Sequence, residues 1–502
     1  MDRRLFIKMF ASLLTIPSLP KTLQARSFIG HQEEFRRVLA EKPWLLGYLG
    51  TNAFEMKADL RIVSGRVPRD LRGVFFRNGP ALHNIGPDRF LHWFDAPGMI
   101  QKFTFTDGVI HYHGRLVETA RNLTEAKSGN ILFSAFGTHR HDLRSGGSAD
   151  GQNVANINII KHANDLLALW EGGSAYIIDE HTLKTEGPKM WSPETTGLPF
   201  GAHPRIDQDG SMWNVGYSVN PATLILYHIS ADGKLLKTHI LPQIFTPMIH
   251  DFMITSSKIV IIAPPYVGSH SMGTSFVDKF EWKAAQPTHA IVIEKDDLTA
   301  VTVIELEPFW VFHFGNAYDI SSTEIGFDFV IHDNPDFLTK DAFSIMDGSW
   351  DGQDSAESRY AQAKLNLASK TALIDTLDEF GQAEFIRTHE HENLKQHRQV
   401  LMLSRSPEPG VYGFNRVNVF DRQSETNAVF DVGINELLEE HIIVPKHGDD
   451  HGFWIIGTTL DWTQGITNLS IYDGAHVMDG PIMKAELDLA LPFGLHGNYI
   501  TM

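Results

Sequence analysis

The sequence predicts an all-β fold, a seven-bladed β-propeller with a helical and loop cap over an axial metal site. Short segments of β character, about 25–30 of them, recur at intervals of about 8–12 residues, far too many for a single sandwich. Asp-Gly turns at Asp107-Gly108, Asp209-Gly210 and Asp232-Gly233 punctuate them. Four histidines in distinct local contexts, His203, His250, His313 and His496, lie 47, 63 and 183 residues apart. Imidazoles so dispersed cannot meet on one helix or hairpin, but they can meet where the inner strands of a closed radial structure converge. No fixed-period repeat is visible, so the blades rest on strand number and spacing.

Composition narrows the function. The chain has 502 residues, 42% hydrophobic and 21% charged, a globular composition. A formal net charge of −18 argues against nucleic acid as a partner, because no basic face is available to replace phosphate counterions. The absence of cysteine excludes disulfides, zinc fingers, Fe–S clusters and thiol catalysis. Most of the 25 histidines are expected to be ordinary surface or hydrogen-bonded residues. No stretch reaches the ~20 apolar residues that span a bilayer.

Residues 1–25 are expected to be a signal peptide and 26–502 the propeller. Arg3-Arg4-Leu5-Phe6-Ile7-Lys8 precedes the apolar run Met9 to Leu19, then Pro20-Lys21 and the small residue Ala25. This pattern is that of twin-arginine export, with a periplasmic destination. That route carries folded proteins, so a metal can be loaded before export.

Residues 31–46 carry charged and apolar residues at helical spacing, and Trp44 to Leu49 is expected to be an exposed apolar edge. After Leu71 the pattern becomes strands. Met99 to Thr106 and Val109 to Val117 alternate about Asp107-Gly108, a strong hairpin signal. Asn156 to Lys161, Leu166 to Trp170 and Ala175 to Asp179 follow. Next come His203 to Asp207 with Met212 to Tyr217, Leu224 to Ser230, Phe252 to Thr255 and Ile259 to Ala263. His289 to Ile293, Val301 to Leu306 and Glu324 to Ile331 extend the series. The segment Asp336 to Gln382 is the least regular; it reads as an insertion over one face, helical over Ser355 to Ala363. Strands resume at Arg398 to Ser404, Val417 to Asp421, Ala428 to Val432, His441 to Val444, Phe453 to Thr459 and Asn468 to Tyr472.

One ligand per blade, widely spaced along the chain, is what an axial metal needs, and the intervals do not suit zincin or zinc-finger sites. Four neutral imidazoles leave the metal its full charge. Imidazole suits Fe, Cu, Zn and Ni alike, so spacing does not name the metal.

From about Gly73 to the C-terminus the sequence resembles the carotenoid cleavage oxygenases, which include apocarotenoid and lignostilbene dioxygenases and a retinoid isomerase. The resemblance is carried by Arg77-Asn78-Gly79-Pro80, His92-Trp93-Phe94-Asp95, Leu169-Trp170-Glu171-Gly172-Gly173, Ala202-His203-Pro204 and His250-Asp251-Phe252. It continues through Phe312-His313, Asn316-Ala317-Tyr318, Glu384-Phe385-Ile386-Arg387 and Leu495-His496-Gly497. It implies Fe(2+) held by His203, His250, His313 and His496, with the carboxylates of Glu171, Glu384 and Glu440 behind three of the ligands. A carboxylate accepting the remaining ring N–H of a metal-bound imidazole fixes tautomer and orientation, and three anions offset the dication without filling coordination positions.

The chain departs from the family pattern in three places: His441 stands where proline is usual, Asp449-Asp450-His451-Gly452 replaces Glu-Asp-Asp-Gly, and Phe94-Asp95-Ala96-Pro97-Gly98-Met99 replaces Phe-Asp-Gly-Asp-Gly-Met. None is a ligand position. His389 with His391, and His447 with His451, are read as solvated loop residues, because nothing nearby completes a ligand set.

The resemblance implies a dioxygenase that adds O2 across a C=C bond of an apolar polyene, a carotenoid or apocarotenoid, to give two carbonyl products. Two rivals remain. One is a lignostilbene-type dioxygenase, whose phenol-activating lysine aligns loosely with Thr138. The other is a non-catalytic periplasmic propeller that binds apolar ligands. A retinoid-type isomerase would share every ligand. Ile131-Leu132-Phe133, Phe136 and Trp44 to Leu49 are read either as an entrance touching a membrane surface or as buried packing.

Overall fold

In the computed structural model, residues 31–501 are described apart from residues 141, 145–146, 220, 243–246 and 269–274. The segment read as a signal peptide lies outside the described residues. Strand alternation over a half-buried surface builds antiparallel sheets, and seven of these, each of four or five strands, are the blades of a propeller. The Asp107-Gly108 hairpin illustrates the local logic. Both residues adopt positive φ, 48° and 81°, and join strands Gly98–Thr106 and Val109–Leu116 with Thr106 opposite Val109.

The ring closes at both ends of the described chain. Blade 1 runs from the outer strand Glu55–Asp59 through Val109–Leu116, Gly98–Thr106 and Gly73–Pro80 to the inner strand His496–Thr501. Blade 7 pairs Glu436–Pro445, Phe453–Asp461, Ile466–Asp473 and Met483–Leu487 with the early strand Arg61–Gly65. Early strands thus finish the rims of the first and last blades, while the last strand fills the centre of the first. The inner strands of blades 2 to 6 are Asn158–His162, Arg205–Ile206, Met253–Ile254, Trp310–Ser321 and Ala383–Thr388. Between adjacent blades the faces bury Leu, Ile, Val and Phe in separate clusters, for example Val260, Val292, Ile304, Phe314 and Phe329 between blades 4 and 5.

Two expectations are corrected here. Ser355 to Ala363 is not helical: the strand Ser358–Asn366 pairs with Glu324–His332 on one side and Thr371–Leu377 on the other. Its Ala, Gln and Lys residues favour helix, but burial of Tyr360 and Leu365 between blades overrides that preference. Nor is Trp44 to Leu49 an exposed edge. Pro43 ends helix α1 (His31–Glu41) and starts a 3-10 turn, Pro43–Tyr48, in which Leu45 is fully buried and Trp44 stacks on Tyr412 at 3.7 Å.

The irregular segment does form a cap. A π turn, Phe337–Asp341, runs into a short helix, Ala342–Asp347, and Ile345 and Trp350 pack with Phe35 and Leu45 of the N-terminal turns. Lys42 Nζ donates to the carbonyls of Gly348, Ser349 and Trp350 at 3.0, 3.1 and 2.7 Å, which ties the chain just past that helix to the end of α1.

Candidate metal centre

Regular strands would point neighbouring side chains to opposite faces. The inner strands that carry the site break that rule with bulges, which add a residue and re-aim side chains. In blade 5 the register shifts between Val311 and Phe314, around His313. In blade 6 it shifts between Glu384 and Arg387, with Phe385 at φ 57°. In blade 7 it shifts between Leu438 and His441, so the consecutive residues Glu439 and Glu440 are both buried.

The four imidazoles converge. His203 Nε2 lies 3.1 Å from His250 Nε2, which lies 3.2 Å from His313 Nε2, which lies 3.1 Å from His496 Nε2. His203 and His496 are also neighbours, with ring centroids 4.7 Å apart. Among the described residues this is the one cluster of three or more His, Asp or Glu side chains able to hold a metal ion.

Three carboxylates stand behind the rings, each from a different blade than its histidine. Glu171, after the second strand of blade 2, bonds His250 Nδ1. Glu384 of blade 6 bonds His313 Nδ1 at 2.6 Å, and Glu440 of blade 7 bonds His496 Nδ1 at 3.2 Å. His203 has no carboxylate on its ring among the described residues.

This donor set fits a divalent cation. With Nδ1–H given to a carboxylate, the Nε2 atoms of His250, His313 and His496 present lone pairs, and neighbouring lone pairs 3.1–3.2 Å apart repel unless a cation lies between them. Ligands about 2.1 Å from one ion would be about 3.0 Å apart at right angles and about 3.4 Å apart in a tetrahedron, so the spacing suits four donors around a single ion. Burial and the neighbouring imidazoles hold His203 well below the usual histidine range, and burial brings His496 down to about 4, so both are neutral, the ligating form. For His313 burial opposes charge, but Glu384 outweighs it and the pKa is raised. Burial would raise Glu384 and Glu440. The imidazoles of His313 and His332 instead pull Glu384 well below the carboxylate range, and Arg387 with His496 holds Glu440 at about 2.

Several supporting residues were not assigned roles by the sequence. His332 Nε2 lies 3.0 Å from the second oxygen of Glu384. Arg387 Nε donates to Glu440 at 3.0 Å. Arg205 Nη2 donates to Asp251 at 2.6 Å, and Asp251 accepts the Phe314 N–H at 3.1 Å, which braces blades 3, 4 and 5 behind their ligands. His203-Pro204-Arg205 and His250-Asp251 put each brace within two residues of a ligand, a usable signal in the sequence.

The other histidine pairs do not build a site. His389 is buried and accepts the His391 N–H at 3.2 Å, while His447 and His451 are exposed. Thr138 is fully buried; it accepts the Leu91 N–H at 2.7 Å and donates to Asp95 at 2.5 Å. It braces a loop and does not line the cavity, so it does not report on a substrate phenol.

That cavity, of about 1150 Å³, has His250, His313 and His496 in its wall. A run of aromatic rings leads away from the centre: Phe312 packs on His250 at 5.5 Å, then Phe337, Phe94, Phe136 and Phe276 follow at 6.0, 6.3, 6.1 and 5.6 Å. Phe136 is half-buried in this run, and Ile131 is in the core.

Residues 50–501 match the family described as retinal pigment epithelial membrane protein. The chain is 26% identical over 497 residues to the apocarotenoid-15,15'-oxygenase of Synechocystis sp., covering 92% of this chain and 97% of that protein. It is 26% identical over 467 residues to lignostilbene-alpha,beta-dioxygenase isozyme III of Sphingomonas paucimobilis, covering 87% of this chain and 92% of that protein. The crystal structure of cobalt-substituted Synechocystis apocarotenoid oxygenase superposes with a TM-score of 0.82 at 25% identity, covering 92% of this chain and 99% of that one. With the match running almost the length of the chain, this propeller belongs to the retinal pigment epithelial membrane protein family, the carotenoid cleavage oxygenases.

Proposed function

We propose that the chain is a non-haem Fe(II) dioxygenase that cleaves a C=C bond of an apolar polyene, a carotenoid or apocarotenoid, with O2 to give two carbonyl products. The observation that carries this reading is the convergence of four Nε2 atoms beside a large aromatic cavity, three of the imidazoles lining its wall. His203, His250, His313 and His496 would hold the ion, and Glu171, Glu384 and Glu440 would orient three of the rings. When bound, Fe(II) supplies the redox chemistry that lets O2 react with an alkene. The net reaction balances without another reactant: the C=C bond breaks and each carbon takes one oxygen atom. The protein's own contribution is positional. Aromatic walls hold the alkene and exclude water, and no side-chain acid or base is required.

Similarity to the Sphingomonas enzyme favours a second reading, a stilbene as substrate. Metal analysis of the purified protein tests the site: the expected result is near one iron per chain, lost in His496→Ala. Oxygen uptake that depends on added apocarotenoid or stilbene, with aldehyde products, tests the reaction. No iron, or iron without alkene-dependent uptake, would leave a non-catalytic binder of apolar ligands.

Export is a separate proposal, resting on Arg3-Arg4 and the apolar run after them. Replacing both arginines by lysine should retain the protein in the cytoplasm; unchanged periplasmic yield would overturn it.

A further inference from the structure

The cavity wall is not apolar throughout. Where the loop 348–357 of blade 5 meets the loop 405–415 of blade 6, it presents Asp341, Asp354, Gln382 and Arg405. Arg405 Nη1 donates to Asp354 at 3.2 Å, but its other terminal nitrogen is taken by the carbonyls of Gly352 and Val411. Asp341 is held by Ser355 through both oxygens, at 2.9 and 2.6 Å. Gln382 accepts from Ser358 N and Oγ at 2.8 and 3.0 Å, and its amide nitrogen has no partner among the described residues. Tyr48 lines the same cavity, its hydroxyl likewise without a partner among the described residues.

Burial pushes the Asp354 carboxyl up to about 6; Arg405 opposes the shift and Asp341 adds to it. Burial also raises Asp341, against the pull of Ser355. The wall therefore offers donors and acceptors in excess of its internal partners. A hydrocarbon end would leave them desolvated and unpaired. A carboxylate end would face Asp341 and Asp354 with like charge, while the Arg405 guanidinium is already engaged by Asp354 and two carbonyls. A hydroxyl both donates and accepts, and so satisfies either kind of group.

We propose that Asp354, Gln382 and Arg405 form a subsite for a hydroxyl group on one end of the substrate, so that the cavity selects alkenes carrying an alcohol or a phenol. This rests on the alkene-cleaving reading and narrows its substrate class.

Binding tests it, measured without oxygen on the iron-loaded protein by quenching of Trp93 and Trp170, both in the cavity wall. The probes are stilbene, 4-hydroxystilbene and stilbene-4-carboxylate, and a polyene hydrocarbon with its terminal alcohol and acid. In the unmodified protein the hydroxyl-bearing probe of at least one series should bind about 10-fold tighter than its hydrocarbon and acid counterparts. Which series shows the preference separates phenol from alcohol. Asp354→Leu and Gln382→Leu should each reduce the ratio towards one while retaining or tightening hydrocarbon binding, which also shows that the variants fold; Asp354→Asn serves where Asp354→Leu does not. Equal affinities in the unmodified protein, no binding by any probe, or a ratio unchanged in the variants would overturn the subsite. Because no oxygen is present, absence of turnover in a separate assay would count against the dioxygenase reading and leave this result intact.

Discussion

Arg77 of blade 1 and Glu439 of blade 7 form an ion pair across the seam of the ring, with side chains only 3% and 4% exposed. The other oxygen of Glu439 accepts the Gly494 N–H at 2.6 Å, and Arg77 Nη2 reaches the Pro492 carbonyl at 3.3 Å. The pair thus joins two blades to the turn that leads into His496. Glu439→Ala should cost about 3–5 kcal/mol in urea unfolding, because it strands a buried guanidinium. Arg77→Leu with Glu439→Leu should cost less than the single change. A loss below about 1 kcal/mol for Glu439→Ala would show the seam does not depend on the pair.

Glu384 holds two imidazoles, His313 and His332. Glu384→Gln and Glu171→Gln should each weaken iron affinity or activity about 10–100-fold, read by chelator competition and oxygen uptake. His332→Ala should have a smaller effect, since the bond to His313 survives. Unchanged affinity and activity in both glutamine variants would remove the carboxylates from the site's function.

Gly79 packs against the turn before His496. A Cβ there would lie 2.6 Å from Gly494 Cα and 2.8 Å from the Phe493 carbonyl, backbone atoms that cannot swing aside. Gly79→Ala should destabilise by about 1–3 kcal/mol and lower iron occupancy. Gly108→Ala, at a turn with open space around it but φ +81°, should lose stability without losing iron.

His441 is fully buried and donates Nδ1–H to the Glu439 carbonyl at 2.7 Å; burial brings its pKa down to about 4. The unfolded chain takes up this proton near pH 6.5 and the folded chain only near 4. The stability it contributes is therefore intact above about 6.5 and lost as pH falls towards 4. His441→Gln should flatten the fall in melting temperature between pH 6.5 and 4.5; an unchanged slope would assign that fall to other groups.

The two remaining histidine pairs should be silent towards iron. Replacing His389, His391, His447 and His451 by alanine together should leave iron per chain unchanged. A loss of half the iron would reveal a second site.

Much of the ring was legible because its buried strands alternate or run apolar, as Lys258–Ala263 and Thr288–Glu294 do. One outer strand was not: Thr371–Leu377 is largely exposed, so solvent rather than a core sets its composition. The closing strand His496–Thr501 was recognised for its histidine but not as a strand, since its pairing partner Gly73–Pro80 is so distant in sequence. The four histidines stood out through their neighbours. His332 and Glu439 did not, because their roles depend on bulges and on contacts between blades that no local pattern records.

The placement of His496 on the innermost strand also has a meaning in time. A ribosome makes this imidazole last of the four, after all seven blades have been started, and its strand pairs with one of the first to emerge. A nascent chain can fold blade by blade, yet it holds only three imidazoles until the ring is sealed. Capture of an ion by all four would thereby be coupled to completion of the circle, so that a full complement of ligands certifies a finished propeller.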